Sequence, residues 1–262
     1  MSLWGQWGKA AIADMTSGPR SDLVPPQRHV FIGDGDFKAV GDHFLATLQE
    51  FGLTPDMAVL DVGSGQGRMA RPLTEYLSDD GSYKGFDIVR RGVEWCETHY
   101  SAFPNFAFSH ADIYNKRYNK GGKTLAKDFR FPYPDASFDF AYLTSVFTHM
   151  FADDIDNYLA EISRVMKPNG RTVITWFLLD DTAKGAVKNH LSDLDFHHRI
   201  DTVSLTTVPD IPEAAIAFED AFIAKTYSQK GLRIDHIYRG KWARPESGRD
   251  YQDIVVADKR AS

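Results

Sequence analysis

The chain has one cysteine, Cys96, in 262 residues. A single thiol excludes an internal disulfide framework and a cysteine-based zinc site within one chain. Long apolar runs are also missing: none reaches the roughly 20 residues that a membrane-crossing helix needs. No secretory signal is apparent, so a cytoplasmic protein without a membrane partner is expected. Positive charge is in short supply. Lys and Arg number 30 against 36 Asp and Glu, a formal net charge of −6. The densest basic stretch, Lys116-Arg117 to Lys127, is interrupted and reads as a solvated loop. A protein that grips duplex phosphates carries a basic face, so no nucleic-acid partner is expected. Internal repeats and low-complexity tracts are absent as well. What remains is 43% hydrophobic residues, at a length that suits one large α/β domain with an elaboration.

Residues 1–36 read as an irregular arm punctuated by Pro19, Pro25, Pro26, Gly33 and Gly35, with Trp4 and Trp7 available to pack on the body or a neighbour. Two readings of this arm stay open: a cap over the site, or a bridge between the subunits of a homodimer. Apolar residues at helical spacing predict a helix over 37–51, ended by Gly52 and Pro55. Strands are then expected at 57–62, 83–88, 106–110, 138–143 and 172–178, with helices over 69–77 and 93–100 and one capped by Asp153. Pro72 should kink its helix or mark an early turn. Residues 114–136 read as a long loop. Residues 180–212 are polar with mixed signals, and a helix is expected over 212–231. The last two strands, at 233–241 and 253–257, are joined by a short loop around Pro245 and Gly248. A parallel pair needs a crossover of about a dozen residues or more, so these two should pair antiparallel.

Alternation of strand and helix from 57 to 178 implies a doubly wound, mostly parallel, seven-stranded α/β sheet of Rossmann-like type with a terminal antiparallel hairpin. One domain is expected over 37–262, with a lid-like insertion at about 180–212.

The chemistry concentrates at Val59-Leu60-Asp61-Val62-Gly63-Ser64-Gly65-Gln66-Gly67-Arg68. An apolar run ends in an acid, three glycines follow at alternate positions, and a helical pattern begins. Glycines let a ligand approach the backbone, and the N–H groups at a helix start form an electrophilic cradle. A dinucleotide fingerprint would read Gly-x-Gly-x-x-Gly. Here the third glycine comes one residue early, and Asp61 would repel a pyrophosphate. An acid at that place suits a ligand with a positive end.

This segment resembles motif I of the class I S-adenosylmethionine-dependent methyltransferases, and the resemblance runs over about residues 57–179. It implies S-adenosyl-L-methionine as cofactor and S-adenosyl-L-homocysteine as product. It places Asp61, Gly63, Ser64, Gly65 and Gly67 around the methionine part. Asp87, at the end of the second strand, would hold both ribose hydroxyls, followed by Ile88; a helix N-cap is its plainer role. Asp112 would accept from the adenine amino group while Ile113 frames the ring; a surface turn is the alternative. Thr144 and Ser145 leave the fourth strand near the methionine part. Ser64 stands where many relatives carry another small residue or Cys.

His149 lies just past that strand in Ser145-Val146-Phe147-Thr148-His149-Met150. A neutral imidazole there could take a proton from an attacking hydroxyl. The competing role is a histidine bonded to a loop that orients Phe147. His190, His197 and His198 fall in the insertion and read as acceptor contacts or as polar lid residues. No metal site is expected, because His197 and His198 are adjacent and no His-Glu-x-x-His pattern accompanies them. Trp176 and Phe177 line an acceptor pocket or belong to the core.

The turn after the fourth strand lacks the Asn/Asp-Pro-Pro-aromatic signature of amino-adenine DNA methyltransferases, and Cys96 lies too early for a cytosine-ring nucleophile. A small-molecule acceptor, methylated on oxygen or nitrogen, is the expectation. The 37–51 helix, the Ser145–His149 run and Tyr251-Gln252-Asp253-Ile254 resemble bacterial enzymes of sugar or natural-product tailoring. Two other readings stay open: a nicotinamide-dependent dehydrogenase, against which the Gly spacing and hairpin speak, and a non-catalytic module that binds S-adenosylmethionine.

Overall fold

A computed structural model describes residues 23–26, 30 and 35–261. The expected arm, with Trp4 and Trp7, lies almost wholly outside the described residues. The chain divides into two compact units. One takes the described residues up to Asp56 together with Ser64–Ala111; the other takes Met57–Gly63 and the chain from Asp112 onward.

In the first unit, helix α1 spans Phe37–Glu50. Asp36 caps it, its carboxylate accepting the Ala39 N–H at 2.7 Å. Helix α2 spans Ala70–Tyr76. Pro72 falls in its first turn, where the missing N–H breaks no intrahelical bond. Gly41 lets the two segments approach: a Cβ there would sit 2.4 Å from the Arg68 carbonyl oxygen. Arg71, nearly buried, pairs with Asp42 across the same contact. Strand β2, Ser82–Asp87, and strand β3, Phe106–His110, run parallel with Asp87 opposite His110. Helix α3, Arg90–His99, joins them. Tyr83, Tyr100, Phe106 and Phe108 stack into an aromatic core beneath.

In the second unit, β1 (Ala58–Val62), β4 (Phe138–Leu143) and β5 (Met166–Trp176) run parallel. The last two long strands, β10 (Leu232–Tyr238) and β11 (Asp253–Lys259), pair antiparallel, and β11 also runs antiparallel to β5. The order across the seven-stranded sheet is β10-β11-β5-β4-β1-β2-β3. The expected Rossmann-like fold with a terminal antiparallel hairpin is therefore present.

Three details differ from expectation. Helix α4 covers Ala152–Val165 and begins two residues earlier than an Asp153 cap would allow. Phe151 is the cap position; its N–H donates to the Asp154 carboxylate at 3.3 Å, and Asp153 sits in the first turn, where negative charge suits the helix dipole. The fifth strand, expected over 172–178, spans Met166–Trp176, and Lys167-Pro168-Asn169-Gly170 bulges within it. Between paired positions, two residues of β4 advance against five of β5, and Asn169 takes a positive φ of 62°.

The third difference is a second sheet. Strands β6 (Leu178–Leu179), β7 (His198–Arg199), β8 (Ser204–Thr206) and β9 (Ile216–Glu219) form it in the order β6-β9-β8-β7. The helix expected over 212–231 is thus a 3-10 turn at Pro212–Ala214, then β9, then helix α6 at Asp220–Gln229. Pro212 gives the helix-start signal, and Ile-Ala-Phe-Glu is too short for periodicity to separate strand from helix. Helix α5, Asp181–Lys188, packs Ala183 and Val187 against Phe177, Phe196 and Trp242, so this elaboration has its own apolar core. Among the described residues, no helix is long and apolar enough to cross a membrane.

Candidate active site

After β1 the backbone turns through Gly63, Gly65 and Gly67 with φ of 85°, 56° and 77°. These are left-handed values that glycine adopts without strain. Side chains are excluded here on space as well. A Cβ at Gly63 would lie 2.4 Å from Val146 Cγ2, and one at Gly67 would lie 2.7 Å from the Tyr100 hydroxyl. That hydroxyl donates to the Gly67 carbonyl at 2.9 Å, fixing the turn against α3.

Within the first unit, Asp87 closes onto this turn. Its two carboxylate oxygens accept the Gly65 N–H at 2.8 Å and the Val89 N–H at 2.7 Å. The plainer reading, a helix cap, explains neither bond: Val89 is itself the cap position of α3, which has no side-chain cap bond. Burial pushes the Asp87 carboxyl above its ordinary range, although the Val89 and Gly65 N–H groups and nearby His110 pull the other way. The Ser64 N–H donates to the Phe86 carbonyl at 3.1 Å, while Ser64 Oγ is buried with no hydrogen-bond partner. Gly85 makes room for this docking, because a Cβ on it would meet Ser64 Cβ at 2.8 Å. Next along, the Ile88 carbonyl bonds His110 Nε2 at 3.2 Å.

Within the second unit, Asp61 is 1% exposed and accepts the Tyr142 hydroxyl at 3.0 Å. The two residues face each other in the β1–β4 register. Asp112 and Ile113 are held from the long loop: the Asp112 carbonyl accepts the N–H groups of Lys123 and Thr124, both at 3.1 Å, and Tyr114 N–H donates to Thr124. Gly122 permits this, since a Cβ there would lie 2.3 Å from the Ile113 backbone. Ile113 is buried and Asp112 is partly exposed.

Thr144 and Ser145 follow β4. Ser145 has φ of 55°, a strained value for a side-chain-bearing residue. Its N–H donates to Thr175 Oγ1 at 2.8 Å, and its hydroxyl donates to Gln252 Oε1 at 3.1 Å.

His149 ends the 3-10 turn Phe147–His149. Its Nδ1 lies 2.8 Å from the Glu213 carbonyl oxygen, an atom that only accepts, so Nδ1 carries the proton. Burial lowers the imidazole pKa, and the charge of Arg117 adds to this, so the ring is neutral near pH 7. The Tyr118 ring stands edge-on to it at 5.8 Å. Nε2 is therefore left as a proton acceptor.

Each unit thus carries a share of the expected residues: Ser64, Gly65, Gly67, Asp87 and Ile88 in the first, Asp61, Gly63, Asp112, Ile113, Thr144, Ser145 and His149 in the second. Sequence reasoning missed Tyr142, Thr175, Gln252 and Glu213. Only Tyr142 had a readable signal, as the residue two before Thr144 on a strand parallel to β1. Trp176 is fully buried against Phe147 and Phe218, and Phe177 packs on Phe196 and Trp242. Both belong to the core. His197 pairs with Asp195 at 2.8 Å, and His190 approaches the same carboxylate at 3.6 Å.

The turn fits a cofactor of the expected kind: a left-handed backbone turn that needs glycine at Gly63 and Gly67, an orphaned buried hydroxyl at Ser64, and a buried carboxylate already aimed by two N–H groups. Comparison with known proteins agrees. The methyltransferase domain family model matches residues 60–174. A sterol 24-C-methyltransferase of Gibberella zeae is 29% identical over 143 residues, covering 53% of this chain but 32% of that protein. This chain therefore spans about a third of the length of that relative. Among solved structures, the 1,6-didemethyltoxoflavin-N1-methyltransferase of Burkholderia thailandensis, bound to 1,6-didemethyltoxoflavin and S-adenosylhomocysteine, aligns with a TM-score of 0.55 at 17% identity, covering 100% of this chain and 92% of its own. The [4+2]-cyclase SpnF aligns at 0.56 and 15%, covering 89% and 87%. At these identities the structural likeness shows the fold alone. The methyltransferase-domain match over residues 60–174, the strand order and the Gly-rich turn together support a class I S-adenosylmethionine-dependent methyltransferase.

Proposed function

We propose that the chain methylates an oxygen or nitrogen atom of a small molecule, with His149 as the base. The observation that carries this is the bond from His149 Nδ1–H to the Glu213 carbonyl, which fixes the tautomer and leaves Nε2 as acceptor. S-adenosyl-L-methionine, when bound, supplies a methyl group already activated on a sulfonium. Asp87 would hold the ribose hydroxyls, with the N–H groups of Gly65 and Val89 orienting its carboxylate. The Gly-rich turn, Gly63, Ser64, Gly65 and Gly67, would admit the methionine part, and the negative charge of Asp61 suits a cofactor with a positive end. Asp112 and Ile113 would take the adenine, and Ser145, pinned by Thr175 and Gln252, would shape the wall beside Thr144.

His149 then takes the proton that an attacking O–H or N–H must lose. Orientation alone supplies roughly 7–11 kcal/mol for such an in-line displacement, and a base adds about 10²–10⁴-fold in rate. Two further oxygens belong to the same pair of 3-10 turns. Thr148 Oγ1 and Glu213 Oε2 are buried without hydrogen-bond partners. Unpaired buried polar atoms are costly, and both would be satisfied by an acceptor bearing N–H or O–H groups. A sugar or a polar natural product fits that description. The insertion at 180–212, folded on its own core, would cover it.

The test is methyl transfer from labelled S-adenosylmethionine to a panel of sugars, phenols and heterocyclic amines. Labelled acceptor formed by the parent and reduced at least a hundredfold in His149→Asn supports the reading. Asn keeps a donor for the Glu213 carbonyl but lacks Nε2. Equal rates in the two proteins would remove His149 as the base.

A further inference from the structure

We propose that His190, Asp195 and His197 form a binding site for a divalent transition-metal ion of the zinc type. The site is separate from the methyl-transfer residues and does not depend on the reading of them. The three side chains each offer one ligand atom, and these atoms lie within 4.8 Å of one another. Asp195 Oδ1 is the centre: His197 Nε2 is 2.8 Å from it and His190 Nδ1 is 3.6 Å from it. The two imidazole rings are 5.5 Å apart. Two imidazoles and a carboxylate are a donor set that zinc accepts, with bonds of about 2.0–2.2 Å. Drawing three such atoms onto one ion needs movements of about an ångström in exposed side chains.

The backbone already presents the ligands together. Asp195 and His197 flank Phe196, which is 1% exposed and packs on Phe177 and Trp242. The His197 N–H donates to the Asp195 carbonyl at 3.0 Å, a tight three-residue turn that draws the two residues together, both exposed to solvent. The segment is tied down by the Asp193 N–H on the Trp242 carbonyl at 2.8 Å and by the Ser192 hydroxyl on the Leu194 carbonyl at 2.9 Å. His190 follows the end of α5 with φ of 56°. That position after a helix usually takes glycine, because it is left-handed. A histidine held there against its preference turns its ring toward Asp195. All three residues are exposed, so an ion can reach them. Three protein ligands leave a coordination position for water. Bound metal would staple the end of α5 to the segment that enters β7.

The adjacent pair His197 and His198 hid this arrangement in the sequence. The ligand is not the neighbouring histidine but one seven residues earlier, brought in by the end of α5.

The experiment is a calorimetric titration of the tag-free, chelator-treated full chain with zinc chloride near pH 7.5, repeated with His190→Gly and His197→Ala. Glycine suits the backbone at 190, and both side chains are exposed, so the variants should keep the parent's thermal midpoint in chelator. The expected result is saturable binding of one ion per chain, weakened at least tenfold in each variant, and a rise in midpoint with zinc that both variants lose. A visible absorption band on cobalt substitution should follow the same pattern. Absence of saturable binding, or equal affinity in parent and variants, would overturn the site.

Discussion

Asp87 gives the sharpest quantitative test of the cofactor site. Its carboxylate accepts two backbone N–H groups, from Gly65 at 2.8 Å and Val89 at 2.7 Å. Each oxygen keeps a lone pair for a ribose hydroxyl. In Asp87→Asn, one oxygen becomes an NH₂ group. That group cannot accept from the N–H it faces, nor from a hydroxyl. A hydrogen bond to a charged group contributes about 1.5–3 kcal/mol, so losing one on the ligand side should weaken S-adenosylhomocysteine binding roughly 10- to 150-fold. Calorimetric titration reads this directly and needs no acceptor.

The pH dependence adds a second arm. Burial holds the Asp87 pKa above the ordinary carboxylate range. As pH falls through that raised value, the carboxyl gains a proton and one accepting site is lost, so ligand affinity should fall. Stability moves the opposite way. A carboxyl whose folded pKa is raised contributes stability at low pH that disappears as pH rises through the folded value. Parent affinity and this contribution to stability should therefore run in opposite directions over the same window, and Asp87→Asn should show neither trend. A dissociation constant within twofold of the parent, or an unchanged pH dependence in the variant, would refute the assignment.

Gly67→Ala should destabilise the protein by about 2–5 kcal/mol, combining left-handed backbone strain with overpacking on Tyr100, and chemical denaturation would read it; a loss under 1 kcal/mol would mean that the turn yields easily. The His149 imidazole should titrate below its ordinary value of about 6.5 in a carbon-detected NMR titration, and its stabilising contribution should be present above that value and lost as pH falls toward the folded pKa. A folded-state value above 6.5 would contradict the burial argument. Phe196→Ala should cost about 3–5 kcal/mol and open residues 189–199 to trypsin at Arg199 before the sheet unfolds. Unchanged cleavage would show that the segment does not depend on that anchor.

Much of the large sheet was legible because its strands are long, apolar and separated by helices of clear period. Phe106–His110 and Phe138–Leu143 were placed to the residue. The antiparallel final pair was expected from a short loop; the pairing holds, although the connection between Tyr238 and Asp253 is longer than the sequence suggested. The second sheet was not legible, since its strands are two to four residues long and pair at distances in sequence that no local pattern records. Position likewise pointed to Asp87 and His149 but not to their partners. Glu213 holds His149 through its main-chain carbonyl, which any residue could supply. Gln252 reaches Ser145 from just before β11, a contact made only when that strand returns beside β5. The sequence left Trp176 and Phe177 between pocket and core, because aromatic character alone does not tell which face of a strand end they occupy; both are core.

The central claim is that this chain binds S-adenosylmethionine and not a nicotinamide dinucleotide. Thermal unfolding with S-adenosylhomocysteine, and separately with NADH, tests it most directly. Ligand at about 100 times its dissociation constant stabilises by about 2.7 kcal/mol, a shift of several degrees for a chain of this length. A rise with S-adenosylhomocysteine alone, lost in Asp87→Asn, is the predicted result. A rise with NADH alone would contradict the account.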